Sequence, residues 1–379
     1  MSISRRQFLT RSGLVAAGGL FGRSLFGSVF AGGALAQTIG DRYFVVLFLD
    51  GGNDGLNTIT PIANGSQGGL RAAYETARGT GSGGLRLASS SLLDAGMVDA
   101  PTGTPIGFHP GLAGLKTLYD LGKVAVIQGC GYPEPNLSHD ESRRIWETAR
   151  RYGGSAGWVG GYLAANYGGA EIPAVNIQSW ISGDFANDAT SVLTVERLDR
   201  FDFPYGASGS ERAARRAALL SLCADASGSG LETLEYVGNN TRATLEASDS
   251  YPPLHGLYVA DRSGWSDGYG ALGTSTARDL REIAKILYGV RNGVPNVSAR
   301  LFQLRNGGYD THSDQGGAQP DGQHTMLHRE VGEIRTQVQR LQRQAAALET
   351  SLRNYRGDDP DDVAAHARIT ARVAELRAQ

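Results

Sequence analysis

Two kinds of apolar patterning alternate along the chain. The continuous runs Tyr43-Phe44-Val45-Val46-Leu47-Phe48-Leu49 and Val124-Ala125-Val126-Ile127 have the pattern of strands buried on both faces of a parallel sheet. Ala174-Val175-Asn176-Ile177 and Arg300-Leu301-Phe302-Gln303-Leu304 fit two further short strands. Segments at 111–121, 157–167, 210–223, 230–247 and 275–289, with one more starting at Ser138, read as helices. Residues 64–107, rich in Gly, Ser and Ala, predict an irregular excursion. Strands alternating with helices predict an α/β fold, a mainly parallel central sheet with helices on both faces. Ligands of such sheets bind beyond the carboxyl ends of the strands, so the loops that follow them are where chemistry is expected.

Both ends of the chain depart from this pattern. Ser4-Arg5-Arg6-Gln7-Phe8-Leu9 is a twin-arginine pair followed by hydrophobic residues, and a weakly apolar stretch runs from Leu14 to Leu35. Ala34-Leu35-Ala36 then supplies the small-x-small pattern of a signal peptidase site, with Gln37 as the mature N-terminus. A membrane anchor is disfavoured, because a span needs about 20 strongly apolar residues and this stretch holds Arg23 and many glycines. Residues 1–36 are therefore expected to be a twin-arginine signal peptide, with the twin-arginine export machinery as partner. The mature protein is expected to be periplasmic or extracellular, with no membrane span after cleavage. That route carries folded proteins, often with metals or cofactors already loaded.

At the other end, Val331, Ile334, Val338, Leu341, Ala345, Leu348, Leu352 and Tyr355 recur at spacings of three and four. This is a heptad seam. Gly357-Asp358-Asp359-Pro360 interrupts it, and a second helix is expected to run to Gln379. So narrow an apolar stripe wants a partner. A homo-oligomer through residues 331–355, a hairpin with the second helix, and packing on the sheet all satisfy it. The domain organisation read from the sequence is thus 1–36 signal, 37–331 α/β domain and 332–379 helical, coiled-coil-like tail.

Composition narrows the function classes. The 379 residues are 41% hydrophobic and 20% charged, an ordinary globular balance with an unusual 53 glycines. Net charge is −2, and Arg5, Arg6, Arg11 and Arg23 all lie in the leader, so the mature chain is more acidic still. Nucleic acid is excluded as a partner on that ground. Cys130 and Cys223 form no C-x-x-C pair, which excludes a cysteine zinc knuckle and a thioredoxin-type site. A disulfide between them and two separate buried thiols both remain open.

Three loops carry candidate chemistry. The first, after Leu49, offers Asp50, Asn53 and Asp54 among glycines, either as ligands for a divalent cation or as caps of a turn. Another, Gly307-Gly308-Tyr309-Asp310-Thr311-His312-Ser313-Asp314-Gln315, sets Asp310 and His312 two residues apart, so that in extended backbone they share a side. A carboxylate and an imidazole so placed are half of a metal site. In the third, Ser138-His139-Asp140-Glu141 is a capping-box sequence. A serine at a helix N-terminus also stands where backbone amides stabilise an anion or an attacking alkoxide. His324 and His328 lack the intervening glutamate of a zinc-protease motif, and His109 and His255 read as structural.

Together, the leader, Gly-Gly-Asn-Asp-Gly-Leu-Asn-Thr at 51–58, Val-Ile-Gln-Gly-Cys-Gly-Tyr-Pro-Glu-Pro-Asn-Leu-Ser-His at 126–139 and Gly-Gly-Tyr-Asp-Thr-His-Ser-Asp-Gln at 307–315 resemble one exported bacterial family, the domain of unknown function 1501. That family is similar to the alkaline phosphatase and sulfatase superfamily. The resemblance implies metal ligands at Asp54, Asp50, Asn53, Asp310 and His312, and a nucleophile at Ser138 with His139 beside it. It implies a divalent metal (zinc, calcium, magnesium or manganese) and hydrolysis of phosphate or sulfate esters. The family's later Ser-Glu-Phe-Gly-Arg and Thr-Asp-His-Gly motifs are absent, and the heptad tail stands in their place. A non-catalytic exported binding or assembly protein, and a truncated inactive member, are the alternatives.

Overall fold

The computed structural model describes residues 43–79, 84–167, 172–202, 206, 208–261, 274–312 and 315. The expected signal peptide, the heptad tail, His324 and His328 lie outside the described residues. In chain order the elements are β1 (Phe44–Leu49), α1 (Gly55–Thr58), β2 (Ile59–Pro61), α2 (Leu70–Arg78), β3 (Leu93–Asp99), β4 (Thr104–Phe108), α3 (Ala113–Asp120), α4 (His139–Thr148), α5 (Trp158–Asn166), β5 (Ala174–Asn176), β6 (Val192–Thr194), α6 (Gly209–Ser227), α7 (Glu232–Ser250), α8 (Pro253–Asp261), α9 (Ser275–Arg291) and β7 (Leu301–Asn306). The fold is α/β. Among the described residues, 43–48, 132–261 and 282–305 form one compact unit, and 49–131, 274–281, 306–312 and 315 form another.

The first unit is built on a parallel four-stranded sheet in the order β1-β7-β5-β6. Ala174, Val175 and Asn176 of β5 pair in register with Leu301, Phe302 and Gln303 of β7 on one side and with Val192, Leu193 and Thr194 of β6 on the other. The core closes where Val159 and Leu163 of α5 meet Ala174, Phe185 and Leu301, all nearly inaccessible to water. Beside it, α6 and α7 pack on each other through Cys223 and Leu245, with Leu219 and Leu220 around them.

β1 corrects the expectation of a strand buried on both faces. It is the edge of this sheet among the described residues, and Phe44 and Val45 are exposed by 41% and 40%. Phe44 recovers part of its contact edge-on to Trp158, with ring centroids 6.2 Å apart. A continuous apolar run announces a strand but not its place in the order. His255, read from the sequence as structural, lies in the helix α8, a segment the apolar pattern does not reveal. Its start is favoured by Pro253, which is compatible with a first helical turn.

The second unit overturns the irregular excursion expected at 64–107. That stretch contains α2 and most of an antiparallel sheet ordered β2-β4-β3, with Ile59 and Leu93 both opposite Phe108 and a bulge between Asp94 and Met97. The inward positions of α2, Arg71 and Tyr74, are polar or amphipathic rather than apolar. The Arg71 guanidinium donates to the carbonyls of Pro61 (2.9 Å) and Leu87 (2.8 Å) and to Glu75 (2.7 Å). An inner face built from hydrogen bonds leaves no hydrophobic period to read. Val124–Ile127 also differs from expectation. It forms no strand, and Ile127 is 75% exposed. The chain leaves α3 through Gly122 and Lys123, whose amides return to Tyr119 and Leu118, and no strand of the described residues pairs with the run that follows. Among the described residues no helix is long and apolar enough to cross a membrane.

Candidate functional site

β1 and β7 are neighbours in the sheet, so the loops that continue from their carboxyl ends emerge side by side. Both loops belong to the second unit. The amide of Asp50 donates to the carbonyl of Asn306 (2.9 Å), and the amide of Tyr309 donates back to the carbonyl of Asp50 (3.4 Å). Asn306 is itself tied down by its side-chain amide, which donates to Thr276 Oγ1 at 2.8 Å. Gly51 makes the approach possible. Its φ is +108°, and a Cβ there would stand 2.5 Å from the amide nitrogen of Asp310 and 2.9 Å from the Asp310 Cβ.

Asp50 is buried, while Asp310 and His312 are exposed. β7 ends at Asn306, so the shared side expected of Asp310 and His312 does not arise from strand geometry. They meet nevertheless, His312 Nε2 lying 2.8 Å from Asp310 Oδ1, with side chains 81% and 45% exposed. A carboxylate that holds one ring nitrogen of a histidine fixes the tautomer and leaves the other nitrogen as a donor atom for a metal.

Asp54 is placed differently. It caps α1, accepting from the Asn57 amide at 3.3 Å, and its Oδ1 lies 2.5 Å from the Arg78 guanidinium. Its second oxygen accepts from Gln315 Nε2 at 2.6 Å, which binds the far end of the loop after β7 to the loop after β1. The side chains of Asp54 and Arg78 are only 7% and 16% exposed. Asn53 turns back on Thr58, donating to its hydroxyl at 3.0 Å. Behind them the Tyr74 hydroxyl donates to Asn57 Oδ1 (2.7 Å) and accepts from the Leu87 amide (2.8 Å). Burial pushes the Tyr74 phenol above its ordinary range.

Ser138 and His139 lie in the first unit. Ser138 is the N-cap of α4 and accepts from the Glu141 amide at 3.3 Å. The reciprocal half of the capping box is absent. Glu141 turns to Arg144 (2.8 Å), which holds its carboxyl below the usual range, and the Ser138 amide donates to Asn136 Oδ1 instead (3.0 Å). Leu137, just before the serine, has φ +61° and an exposed side chain. That backbone region is rarely adopted by L residues.

The structure therefore joins Asp50, Asp54, Asp310 and His312 within one unit and places Ser138 and His139 on the other. Arg78, Tyr74 and Gln315 were missed by sequence reasoning. Gln315 closes a loop already singled out, while Arg78 and Tyr74 lie in a stretch without apolar period. His109 is structural as expected, buried with Nδ1 accepting from the Gly111 amide at 3.0 Å. Cys130 is an exposed thiol and Cys223 a buried one. No protein-family model, no curated protein and no solved structure matches the chain.

Proposed function

We propose that the chain is an exported, metal-dependent hydrolase of phosphate or sulfate esters, with the alkaline phosphatase and sulfatase type of sheet, helices on both its faces. The observation that carries this reading is the junction of the two loops that continue from the carboxyl ends of β1 and β7. There Gly51 admits Asp310, and Asp310 orients His312. The donor set fits a divalent cation: a carboxylate and an imidazole nitrogen suit zinc or manganese, and the oxygens of Asp50 and Asp310 suit calcium or magnesium as well. Asp310 and His312 would hold the cation, and Asp50, buried in the neighbouring loop, is a further candidate ligand. A bound cation would polarise an ester oxygen and stabilise the charge that develops on it. The resemblance assigns the attacking hydroxyl to Ser138. Its position at the start of α4, behind a backbone kink at Leu137, supports that assignment.

The test is metal content and turnover of the mature chain purified without chelator. The expected result is one or two equivalents of metal beyond what Asp310→Ala and His312→Ala retain, with EDTA-sensitive ester hydrolysis. Ser138→Asn keeps a good N-cap and removes the nucleophile, so it should fold normally and not turn over. A metal-free chain, or a metal content that neither variant lowers below that of the wild type, overturns the reading.

One observation favours the non-catalytic alternative. Arg78 and Gln315 already occupy the carboxylate of Asp54, so this residue serves the loop's own structure. Full stability and full folding of a chain that neither binds metal nor hydrolyses esters would favour a scaffold.

A further inference from the structure

In the first unit, the apolar packing between α5 and the sheet ends at Ala174 and Leu301. Two residues further along each strand, the same face presents Asn176 and Gln303, paired in register and both buried. Asn176 is satisfied locally. It donates to the Trp180 carbonyl (2.5 Å) and accepts from Gln178 Nε2 (3.2 Å). Gln303 is not. Its Nε2 donates to Ser182 Oγ at 2.9 Å, which holds the amide in the cluster formed by Ser182, Asp184 and Glu147, but its Oε1 is buried without a hydrogen-bond partner.

The same shortage of donors recurs at Asp184, which is 3% exposed and has a buried Oδ1 without a partner. Ser182 has one hydroxyl proton for two carboxylates, Glu147 Oε1 at 3.3 Å and Asp184. Gly183 stands between them, and a Cβ at that position would fall on the Glu147 carboxylate. A glycine there lets that carboxylate come down onto the loop. Both acids and the Gln303 side-chain amide thus gather at the Ser182 hydroxyl, and although local backbone amides also donate to Asp184, its Oδ1 and Gln303 Oε1 stay buried without a partner. Buried acceptors in this state need either protons or a cation.

We propose that Glu147, Ser182, Asp184 and Gln303 form a site for a hard divalent cation, calcium above all. Every donor is oxygen, and calcium accepts carboxylates and side-chain amide carbonyls in irregular, high-coordination shells. Magnesium keeps more of its own water and demands stricter geometry, and zinc prefers nitrogen or sulfur. Burial, with the neighbouring charge of Glu147 adding to it, pushes the Asp184 carboxyl up to about 6. A bound cation would supply a counter-charge to both carboxylates. Such an ion would cross-link α4, β7 and the loop after β5 at the carboxyl end of the sheet.

The experiment is calcium titration of the full chain after chelator treatment, followed by calorimetry and thermal melting. One equivalent should bind, and calcium at a hundred times its dissociation constant should raise Tm by about 5–10 °C. Asp184→Asn and Glu147→Gln should each abolish the rise. Glu147 is half-buried on a helix, so its amide variant folds even where a change at Asp184 disturbs the loop. His312→Ala should leave the rise intact, which separates this site from the one proposed at Asp310 and His312. No calcium-dependent rise in the wild-type chain, a rise that survives both amide variants, or a rise lost in His312→Ala overturns the proposal.

Discussion

Asp54 and Asp184 are both nearly buried carboxylates in loops that follow strands of one sheet, and their surroundings are opposite. Asp54 receives a guanidinium, an amide side chain and the free amide of a short helix. Asp184 receives part of a serine hydroxyl and local backbone amides, and faces another acid. A buried charge must be paired, neutralised or coordinated. The first loop meets that demand from within the chain, whereas the second leaves it open. The difference teaches where a ligand is worth seeking. The acid already paired stabilises the fold, and the acid left short of donors is the one with capacity to bind.

The sharpest way to break this comparison is to remove the guanidinium. Arg78→Ala leaves Asp54 buried and uncompensated and should cost about 3–5 kcal/mol, read from urea denaturation at pH 7. A cost below about 1 kcal/mol would show that Asp54 is solvated and the contrast empty. Next in size is the pH response of Asp184. Its carboxyl rises from 3.8 to about 6 on folding, so the native state binds the proton more tightly than the unfolded chain. Its contribution favours the fold fully below about pH 4 and is lost as pH rises through 6. The change is about 3 kcal/mol. In chelator, Asp184→Asn should be more stable than wild type at pH 8 and should flatten the profile between pH 4 and 6. An unchanged profile would refute the assignment. Smallest is Tyr74→Phe, which strips the hydroxyl between Asn57 and Leu87 and should cost about 1–3 kcal/mol by thermal denaturation. A neutral result would mean that water replaces the hydroxyl behind the Asp54 loop.

The legible parts of the fold were those held together by apolar contact. The helices α3 to α7 and α9 and the strands at 174 and 301 show in the sequence because their inner faces carry residues such as Val, Leu, Ala and Ile. α2 did not, since Arg71 and Tyr74 bury polar atoms against carbonyls and mimic a surface. Val124–Ile127 misled in the other direction, because a run of four apolar residues is too short to fix its environment. At the candidate site, the turn chemistry of Asn53 and Asp54 was readable from residue type alone. Its partner Arg78 was not, since nothing in a sequence pairs positions that far apart. The Asp184 cluster left one trace. Asn176 and Gln303 interrupt otherwise apolar strands, and a polar residue in a buried run marks a place where something polar must meet it.

Gly51 carries a consequence for anyone who would move this chemistry elsewhere. Because a side chain at that position would collide with the backbone of Asp310, the loop after β1 and the loop after β7 have room for each other only in this pairing. Neither can be grafted alone onto another scaffold and keep its shape. They are transplantable as a pair, or not at all.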